Sequence, residues 1–385
     1  MLMAESFNNN FPMDEEEKVF QLRRLISTDP INWNEFLRLD EDLGVLSHEA
    51  YDCSFSWILA HSPPDSVLKT ILSRYHTYLF SDVTKIKAGL DIALYCSATE
   101  VVKFIATHYQ HVISETIDDD SGDFPLHRAR KAEIASILLE AYPAGVARQN
   151  NEFDLPLHVA IQHYQHPDDI RLLVEQGMIR KVGGQEGRGG VLVKNRLGET
   201  PFSLLNKQFS TGIDIACLSH PVYETDRRLW ENLRTMVYAI HDVDKDNAQN
   251  FNILHALITL DCPPEAIQLA QLMVPGQVRI ADEKGRYPLS LAAAHTNCSR
   301  RVLDNLLGAF PRALHRFDKK GRYPLHWGAA GGRSFPEGTE SIFSADIASI
   351  PDREGMFPFM LAASSKDGTV DTIYRLLRYS PDVVQ

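Results

Sequence analysis

The sequence predicts an all-α solenoid of helix-turn-helix repeats, in which short β-turn or hairpin fingers connect successive units. One observation behind this prediction is a proline, suited to a helix start, that recurs at a nearly fixed spacing. Another is a second proline that lies 13 residues before the first in three places. The third is that apolar residues between these marks stand three or four positions apart, as one face of a helix requires. Because each repeat contacts only its neighbours, we expect an elongated, curved array.

The segment 310–327 contains the clearest boundary between two predicted repeats. Pro311 is expected to end one helix, because proline cannot continue the hydrogen bonding of a preceding helical turn. Gly321 marks a tight turn, and Pro324 suits the first turn of the next helix. The predicted equivalents of Pro324 are Pro125, Pro156, Pro201, Ile253, Pro288 and Pro358, with weaker counterparts at Ser54 and Gly89.

The spacing of these positions distinguishes repeats from insertions. Five of the intervals are 31 to 36 residues long, whereas the intervals that end at Pro201 and Ile253 are 45 and 52 residues. The second proline keeps the same register, since Pro143, Pro275 and Pro311 each precede a helix start by 13 residues. Two independent marks in one register argue against coincidence.

The boundary also carries a recognisable motif, Asp-x-x-Gly-x-x-Pro-Leu-His-x-Ala, which is almost complete from Asp119 to Ala129. Its core recurs at 156–160 and 288–292. By this motif and by its period the chain resembles the ankyrin-repeat family. The resemblance covers about residue 47 to the C-terminus and implies about eight to nine repeats in 47–385. The sequence departs from the family pattern where Phe124, Tyr287, Tyr323 and Phe357 replace the usual threonine, and where Ser203, Ser290 and Met360 replace the histidine.

Three segments fall outside the regular repeats. Residues 1–46 begin polar and asparagine-rich and then show helical apolar spacing, so we expect a partly disordered N-terminus followed by a helical cap on the first repeat. An insertion at about 177–192 has a glycine-rich centre between two apolar runs and predicts an elongated hairpin with a flexible tip. A second insertion at about 206–242 carries apolar residues at helical spacing, which predicts an added or lengthened helix with Trp230 in its core.

Composition narrows the class of partner and the compartment. The formal net charge of −12 argues against a nucleic-acid or anionic-membrane partner, because such surfaces require a clustered basic face. The five cysteines are widely spaced and form no Cys-x-x-Cys, which favours a reducing compartment. No signal peptide or membrane-spanning run is recognised. We therefore expect a monomer in the cytoplasm or nucleus.

Histidines are the most prominent candidates for chemistry. His127, His158, His255 and His326 occupy one position of successive repeats, where the family resemblance implies a hydrogen bond to the turn backbone. The pairs His108/His111 and His163/His166 have tolerable spacing for zinc but lack further ligands. The acidic run 242–247 lacks the glycine and the last glutamate of a calcium loop. No catalytic residues, metal or cofactor are therefore predicted.

The resemblance implies a non-catalytic scaffold that binds a partner protein through its fingers and the concave face of its first helices. Late fingers carry basic residues, which predicts an acidic partner segment there. Three alternatives stay open: these charges only solvate exposed turns, the chain is an adaptor that recruits substrates to a ligase or kinase, or the histidine-rich turns serve an enzyme or metal protein. The predicted partner-binding residues are Lys284, Arg286, Lys319, Lys320 and Arg322 in late repeats, and Asp120, Asp123, Glu152 and Asp154 in early ones.

Overall fold

The computed structural model describes Arg24 and residues 32–43, 58–117, 120–212, 224–244 and 246–379. Within these ranges the regular structure is helical and no β-strand is found. The chain divides into two compact units, one formed by 1–180 with 194–198 and the other by 181–193 with 199–385. In both units, short first helices alternate with second helices, and each first helix follows a tight turn. This architecture confirms the predicted all-α fold of the ankyrin-repeat type.

The first helices begin where the sequence predicts. Proline at the first helical position costs no hydrogen bond, because that N–H has no partner within the helix. The first helices that follow a predicted start are Pro125–Arg128, Pro156–Gln162, Pro201–Gly212, Ile253–Thr259, Pro288–Ala294, Pro324–Ala330 and Pro358–Ser364. All seven predicted starts in these repeats are therefore confirmed.

The two weaker counterparts have different outcomes. Gly89 lies inside the helix Val83–Tyr95, so the prediction of a helix start there is wrong. The segment has no proline at that point, and the side chain of Asp82 instead accepts a hydrogen bond from the backbone N–H of Lys85. This N-cap starts the helix more than a turn earlier. Ser54 lies outside the described residues.

The second helices contribute buried apolar residues to the core of the repeats. Ile134, Val302, Leu303 and Leu306 are fully or almost fully buried. The second helices and the other helical segments are Trp33–Leu43, Asp65–Leu79, Thr99–His108, Gln110–Ile113, Ala132–Ala141, Pro167–Ile179, Gly184–Gly187, Glu224–His241, Pro264–Met273, Arg300–Ala309, Glu340–Ile342, Ala345–Ala348 and Val370–Arg378. Pro143, Pro275 and Pro311 each begin a single 3-10 turn rather than only ending a helix.

The last of these helices departs from the predicted core. The helical spacing of Val370, Ile373, Leu376 and Leu377 predicts that this set faces the core, but Val370 is 82% exposed. Thr372 and Leu376 are the buried residues of this helix. Leu376 therefore takes its predicted place in the core, whereas Val370, the first residue of the helix, does not.

The two insertions have opposite outcomes. The helix Glu224–His241 confirms the helical prediction, and Trp230 is only 3% exposed as expected. The predicted hairpin is wrong, because the glycine-rich segment coils into two short helical turns, Gly184–Gly187 and Arg188–Gly190. Four of its glycines adopt left-handed backbone, which allows a coil where other residues would extend.

The coil packs on its flanking valines instead of projecting as a flexible tip. Val182 and Val191 are both buried, and the backbone carbonyl of Val191 accepts a hydrogen bond from the N–H of Phe202 at 3.3 Å. Gly187 is itself buried, and a Cβ added there would lie 2.6 Å from the carbonyl oxygen of Val182. The second half of the segment is therefore packed within its unit, while 183–186 are exposed.

The first-helix histidines join neighbouring repeats, as the resemblance implied. His127 accepts a hydrogen bond at Nδ1 from the N–H of Phe124 at 3.2 Å and donates from Nε2 to the carbonyl of Asp154 at 2.9 Å. His326 repeats both contacts, with the N–H of Tyr323 at 3.3 Å and the carbonyl of Ile350 at 3.0 Å. Since a carbonyl only accepts, Nε2 carries the proton in both rings.

The other two histidines hold comparable positions. His255 donates from Nε2 to the carbonyl of Arg286 at 3.1 Å. Nδ1 of His158 accepts the N–H of Leu155 at 3.0 Å. His127, His158 and His326 thus complete the first turn of their own helices, whereas Nδ1 of His255 is buried without a hydrogen-bond partner. His127, His255 and His326 also hold the turn of the following repeat.

Replacing Gly187 with alanine should destabilise the protein by about 1–3 kcal/mol, because the new methyl group meets backbone that cannot rotate away. Gly308→Ala is the matched control, since a Cβ there meets no atom within 4 Å and alanine favours the helix. Urea denaturation of both variants measures the difference. Equal midpoints for Gly187→Ala and the parent would show that the segment is loosely packed.

Stability should also fall between about pH 6.5 and pH 4. Burial lowers the pKa of His326 to about 4, whereas an exposed histidine titrates near pH 6.5. Between these values the unfolded chain binds more protons, so the stability present above pH 6.5 is lost as the pH falls toward 4. The contribution of His326 is at most about 3 kcal/mol.

Urea midpoints at pH 7, 5 and 4 measure this loss, and His326→Gln should reduce it. The exposed His315 provides the control. The variant His315→Gln should lose as much unfolding free energy between pH 7 and pH 4 as the parent does. If His326→Gln and the parent lose the same free energy, the ring is not the titrating group.

Candidate interaction surface

The turns that precede the first helices are built alike, and we call each a finger. The early fingers are 120–123, 150–154 and 195–198, and the late fingers are 282–286, 318–322 and 352–356. In the finger 318–322, one carboxylate oxygen of Asp318 accepts the N–H groups of Lys320 and Arg322 at 2.8 and 2.9 Å. The N–H of Asp318 donates in turn to the carbonyl of Arg322 at 3.1 Å. These three bonds close the turn.

The same arrangement recurs in three other fingers. Asn150, Asp282 and Asp352 each accept the N–H groups two and four residues further along at 2.7 to 3.0 Å. An Asp or Asn side chain in this role takes the place of backbone partners that a helix or strand would supply. These four fingers therefore have backbones that hydrogen bonds within the chain hold in place.

Neighbouring fingers are also joined to each other. The N–H of Asn151 donates to the carbonyl of Ser121 at 3.0 Å, and the N–H of Arg196 donates to that of Glu152 at 2.9 Å. Among late fingers, Lys319 and Arg353 make the equivalent bonds to the carbonyls of Lys284 and Lys320 at 3.0 and 2.9 Å. Within each unit the fingers consequently present their central side chains in a regular row.

We call the hydrogen bonds and ion pairs within and between the fingers the framework. Two of the predicted basic contact residues take part in it. The guanidinium of Arg322 donates to Asp352 at 2.8 Å and to Glu354 at 3.2 Å. That of Arg286 donates to Asp282 at 2.8 Å. The side chains of Arg322 and Asp352 are only 14% and 0% exposed. Arg322 thus joins two fingers, Arg286 stabilises its own finger, and both offer little free charge to a partner.

The two arginines also enclose an aromatic ring. The Trp327 indole lies between Arg286 and Arg322, with the guanidinium carbons 5.6 and 5.5 Å from the ring centroid. Its Nε1–H donates to Asp318 at 3.1 Å. Two cation–π contacts and one hydrogen bond therefore place this tryptophan among the late fingers.

The carboxylates of this framework are held ionised. Burial alone would raise the pKa of Asp352, but hydrogen bonds from the N–H of Met356 and from Arg322 hold this pKa below its ordinary value. Burial likewise acts to raise the pKa of Asp282, but hydrogen bonds from Arg286 outweigh it and lower this pKa. The positive side chains of the late fingers thus meet negative ones of the same chain.

The remaining late residues differ in availability. Lys320 contacts Glu354 at 3.0 Å, with both side chains more than half exposed. Lys284 and Lys319 are exposed and stand side by side, since the backbones of these two residues are hydrogen-bonded. Of the five predicted basic residues, these two lysines are the best placed to meet a partner.

The predicted acidic residues divide in the same way. Asp154 is 8% exposed and accepts a hydrogen bond from Asn195 at 2.9 Å. Asp123 accepts one from Asn150 at 2.9 Å. Glu152 and Asp120 are exposed, and Glu152 lies 3.5 Å from Arg196. Glu152 and Asp120 are therefore the acidic side chains that a partner could reach.

Sequence reasoning missed an aromatic residue at a finger tip. Phe153 has a φ of +60° and is 55% exposed. The other fingers place glycine at this position, namely Gly122, Gly198, Gly285, Gly321 and Gly355. A side chain in left-handed backbone costs about 1–2 kcal/mol. Phe153 replaces the turn glycine in an otherwise regular finger. The missing glycine is the sequence signal by which this exposed aromatic residue could have been predicted.

A second aromatic residue in the same repeat shares this strain. Tyr164 follows the first helix Pro156–Gln162, has a φ of +52° and is 67% exposed. At the equivalent place after the helix Pro324–Ala330 the chain has Gly332, whose φ is +74°. The repeat thus carries a strained, exposed aromatic residue at each end of its first helix.

The histidine pairs do not assemble a metal site. Among the described residues, no group of three or more histidine, cysteine, aspartate or glutamate side chains is arranged to hold a metal ion. His108 lies within hydrogen-bonding distance of the carbonyl of Phe104, at 2.9 Å, and stacks on its ring. In the same part of the chain, no helix is long and apolar enough to cross a membrane.

Fingers in fixed register beside short first helices define a repeat array of the ankyrin type. Solved structures that match this chain include the ankyrin repeat domain of Bcl-3, described as a unique member of the IkappaB protein family. The match has 15% sequence identity and a TM-score of 0.27, and it covers 75% of this chain and 97% of the other. No family model matches the chain, and no curated protein matches its sequence.

Arg322→Ala should destabilise the fold by about 3 kcal/mol, because it leaves the buried carboxylate of Asp352 without its cation. Lys319→Ala should change stability by less than about 0.5 kcal/mol, because that side chain is exposed. Urea denaturation at pH 7 compares the two variants. If both behave alike, the separation into framework and available charges is incorrect.

Proposed function

We propose that this chain is a non-catalytic scaffold of the ankyrin-repeat kind that binds a partner protein through its fingers. The observation that carries the proposal is the row of fingers in each unit, whose backbones are fixed by internal hydrogen bonds while their central side chains stay exposed. A surface that is ordered before binding loses little entropy on association. This favours recognition of a macromolecule over a purely solvated role for the finger residues.

The contacts proposed for the partner are the finger residues that the fold leaves available. In the late fingers these are Lys284 and Lys319, which would meet acidic side chains. In the early fingers they are Asp120 and Glu152. The framework residues Arg286, Arg322, Asp123 and Asp154 act indirectly by shaping the fingers, and Lys320 is shared with Glu354.

A catalytic role has less support from the geometry. Catalysis by a nucleophile and an adjacent base requires that their side chains converge on one cleft. The repeat-position histidines instead use Nδ1 or Nε2 on backbone groups. We therefore propose that these histidine rings stabilise the fold. The absence of a cofactor, the monomeric state and the cytoplasmic or nuclear location stay predictions.

The double variant Lys284→Glu/Lys319→Glu should weaken binding of the partner at least fivefold at low salt and leave the melting temperature within about 2 °C, since surface charges contribute little to stability. The measurement is quantitative affinity capture from the source cells with the full chain as bait, followed by titration of the recovered protein. Lys366→Glu, an exposed lysine outside the fingers, is the control.

Two results would contradict the proposal. One is that the full chain recovers no partner in near-stoichiometric amount. The other is that the double variant and the control bind the recovered partner as tightly as the parent does, which would remove the late fingers from the interaction.

A further inference from the structure

The repeat that contains the first helix Pro156–Gln162 differs from the others in its exposed aromatic residues. Phe153 adopts left-handed backbone where the other fingers have glycine, and Tyr164 adopts it after this helix, where other repeats have Ser97, Asp261 or Gly332. The Phe153 ring makes no aromatic or cation–π contact among the described residues. Both side chains are more than half exposed, so packing within the fold does not offset their backbone strain.

Strained backbone persists where the surroundings enforce it, and it is concentrated at binding sites. The finger 150–154 enforces it here. Asn150 accepts the N–H groups of Glu152 and Asp154, and the carbonyl of Phe153 accepts a hydrogen bond from Gln149 at 2.9 Å. The ring of Phe153 is therefore held outward at a fixed place. Rigid, exposed aromatic residues are the side chains that most often supply binding energy at protein interfaces.

The surroundings of Phe153 indicate the chemistry of the partner. The next finger presents Leu197, which is 78% exposed, and thereby extends the apolar surface. Glu152 lies beside Phe153 in the chain, with its side chain 60% exposed and 3.5 Å from Arg196, and Asp120 is exposed in the finger before it. Asp120 also follows two further aspartates in the sequence, at 118 and 119. An apolar centre with an acidic rim complements an apolar segment that carries lysine or arginine.

We propose that Phe153 and Tyr164 are the anchor residues of a binding site for an extended protein segment with apolar side chains flanked by basic ones. The two residues lie beyond opposite ends of a first helix of seven residues, whose own rise is about 10 Å. This inference rests on the proposed scaffold function and assigns to it a second surface, distinct from the late lysines.

The test uses a phage-displayed library of random dodecapeptides selected on the full chain. The selected peptides should combine apolar residues with lysine or arginine. Phe153→Gly and Tyr164→Gly should each weaken peptide binding at least tenfold. Phe317→Ala removes an exposed ring of the second unit whose backbone is ordinary, and it should change binding less than twofold.

The glycine variants also separate binding from folding. Because glycine relieves the left-handed strain, the melting temperature of Phe153→Gly should equal or exceed that of the parent. A lower melting temperature together with weaker binding would indicate a packing role and overturn the assignment. Asp120→Lys/Glu152→Lys should weaken the selected peptides most strongly at low salt.

The remaining outcomes distinguish this inference from the proposed function. Peptides that bind the parent and both glycine variants equally, but lose affinity for Lys284→Glu/Lys319→Glu, would refute the aromatic site and support the scaffold. Selected peptides without basic residues would refute the acidic rim. A library from which no peptide binds the full chain would count against both.

Discussion

The hydrogen bonds of an Asp or Asn side chain within the fingers 150–154, 282–286, 318–322 and 352–356 are the constraint on which these repeats depend. One side-chain oxygen accepts two backbone N–H groups, and this closes the turn without a β-strand. The closed turn positions the proline that starts the first helix, and the histidine of that helix then reaches the following turn. Since each bond fixes a turn relative to its neighbour, the repeats of a unit stack in one register.

This framework uses charged residues for two different purposes. Arg322 and Asp352 form a nearly buried pair that also positions Trp327, whereas Lys319 in the same finger is exposed. Arg333 is a further case, because it is almost fully buried and donates to the carbonyls of Ala292, Ala293, His295, Cys298 and Glu337. An arginine with five donors can thus satisfy the end of a first helix and the loop beyond it. A partner can use only the charges that the framework does not occupy.

The early and late fingers consequently differ in the side chains that they expose. In the late fingers, Trp327 is enclosed by arginines and two lysines remain outside. In the early fingers, Phe153 projects from a strained turn among acidic side chains. Aromatic residues that a fold encloses contribute to its stability, while those that it holds in the open are available for recognition. The same finger geometry therefore supports an electrostatic surface in one unit and an apolar one in the other.

The sequence by itself determined the repeat class, all seven helix starts from Pro125 to Pro358 and the structural role of the histidines, because these depend on local residue types that recur in register. It also located the helix of the second insertion from its apolar period. Only the tertiary structure decided which finger charges are free, since the partner of Arg322 lies 30 residues away. It also decided that 183–190 coils, because Gly187 fits against the Val182 carbonyl, and that Phe153 stays exposed. The ion pair of Arg322 depends on a segment distant along the chain, and the coil depends on a close approach of Gly187 to backbone five residues earlier; the spacing of apolar residues encodes neither contact.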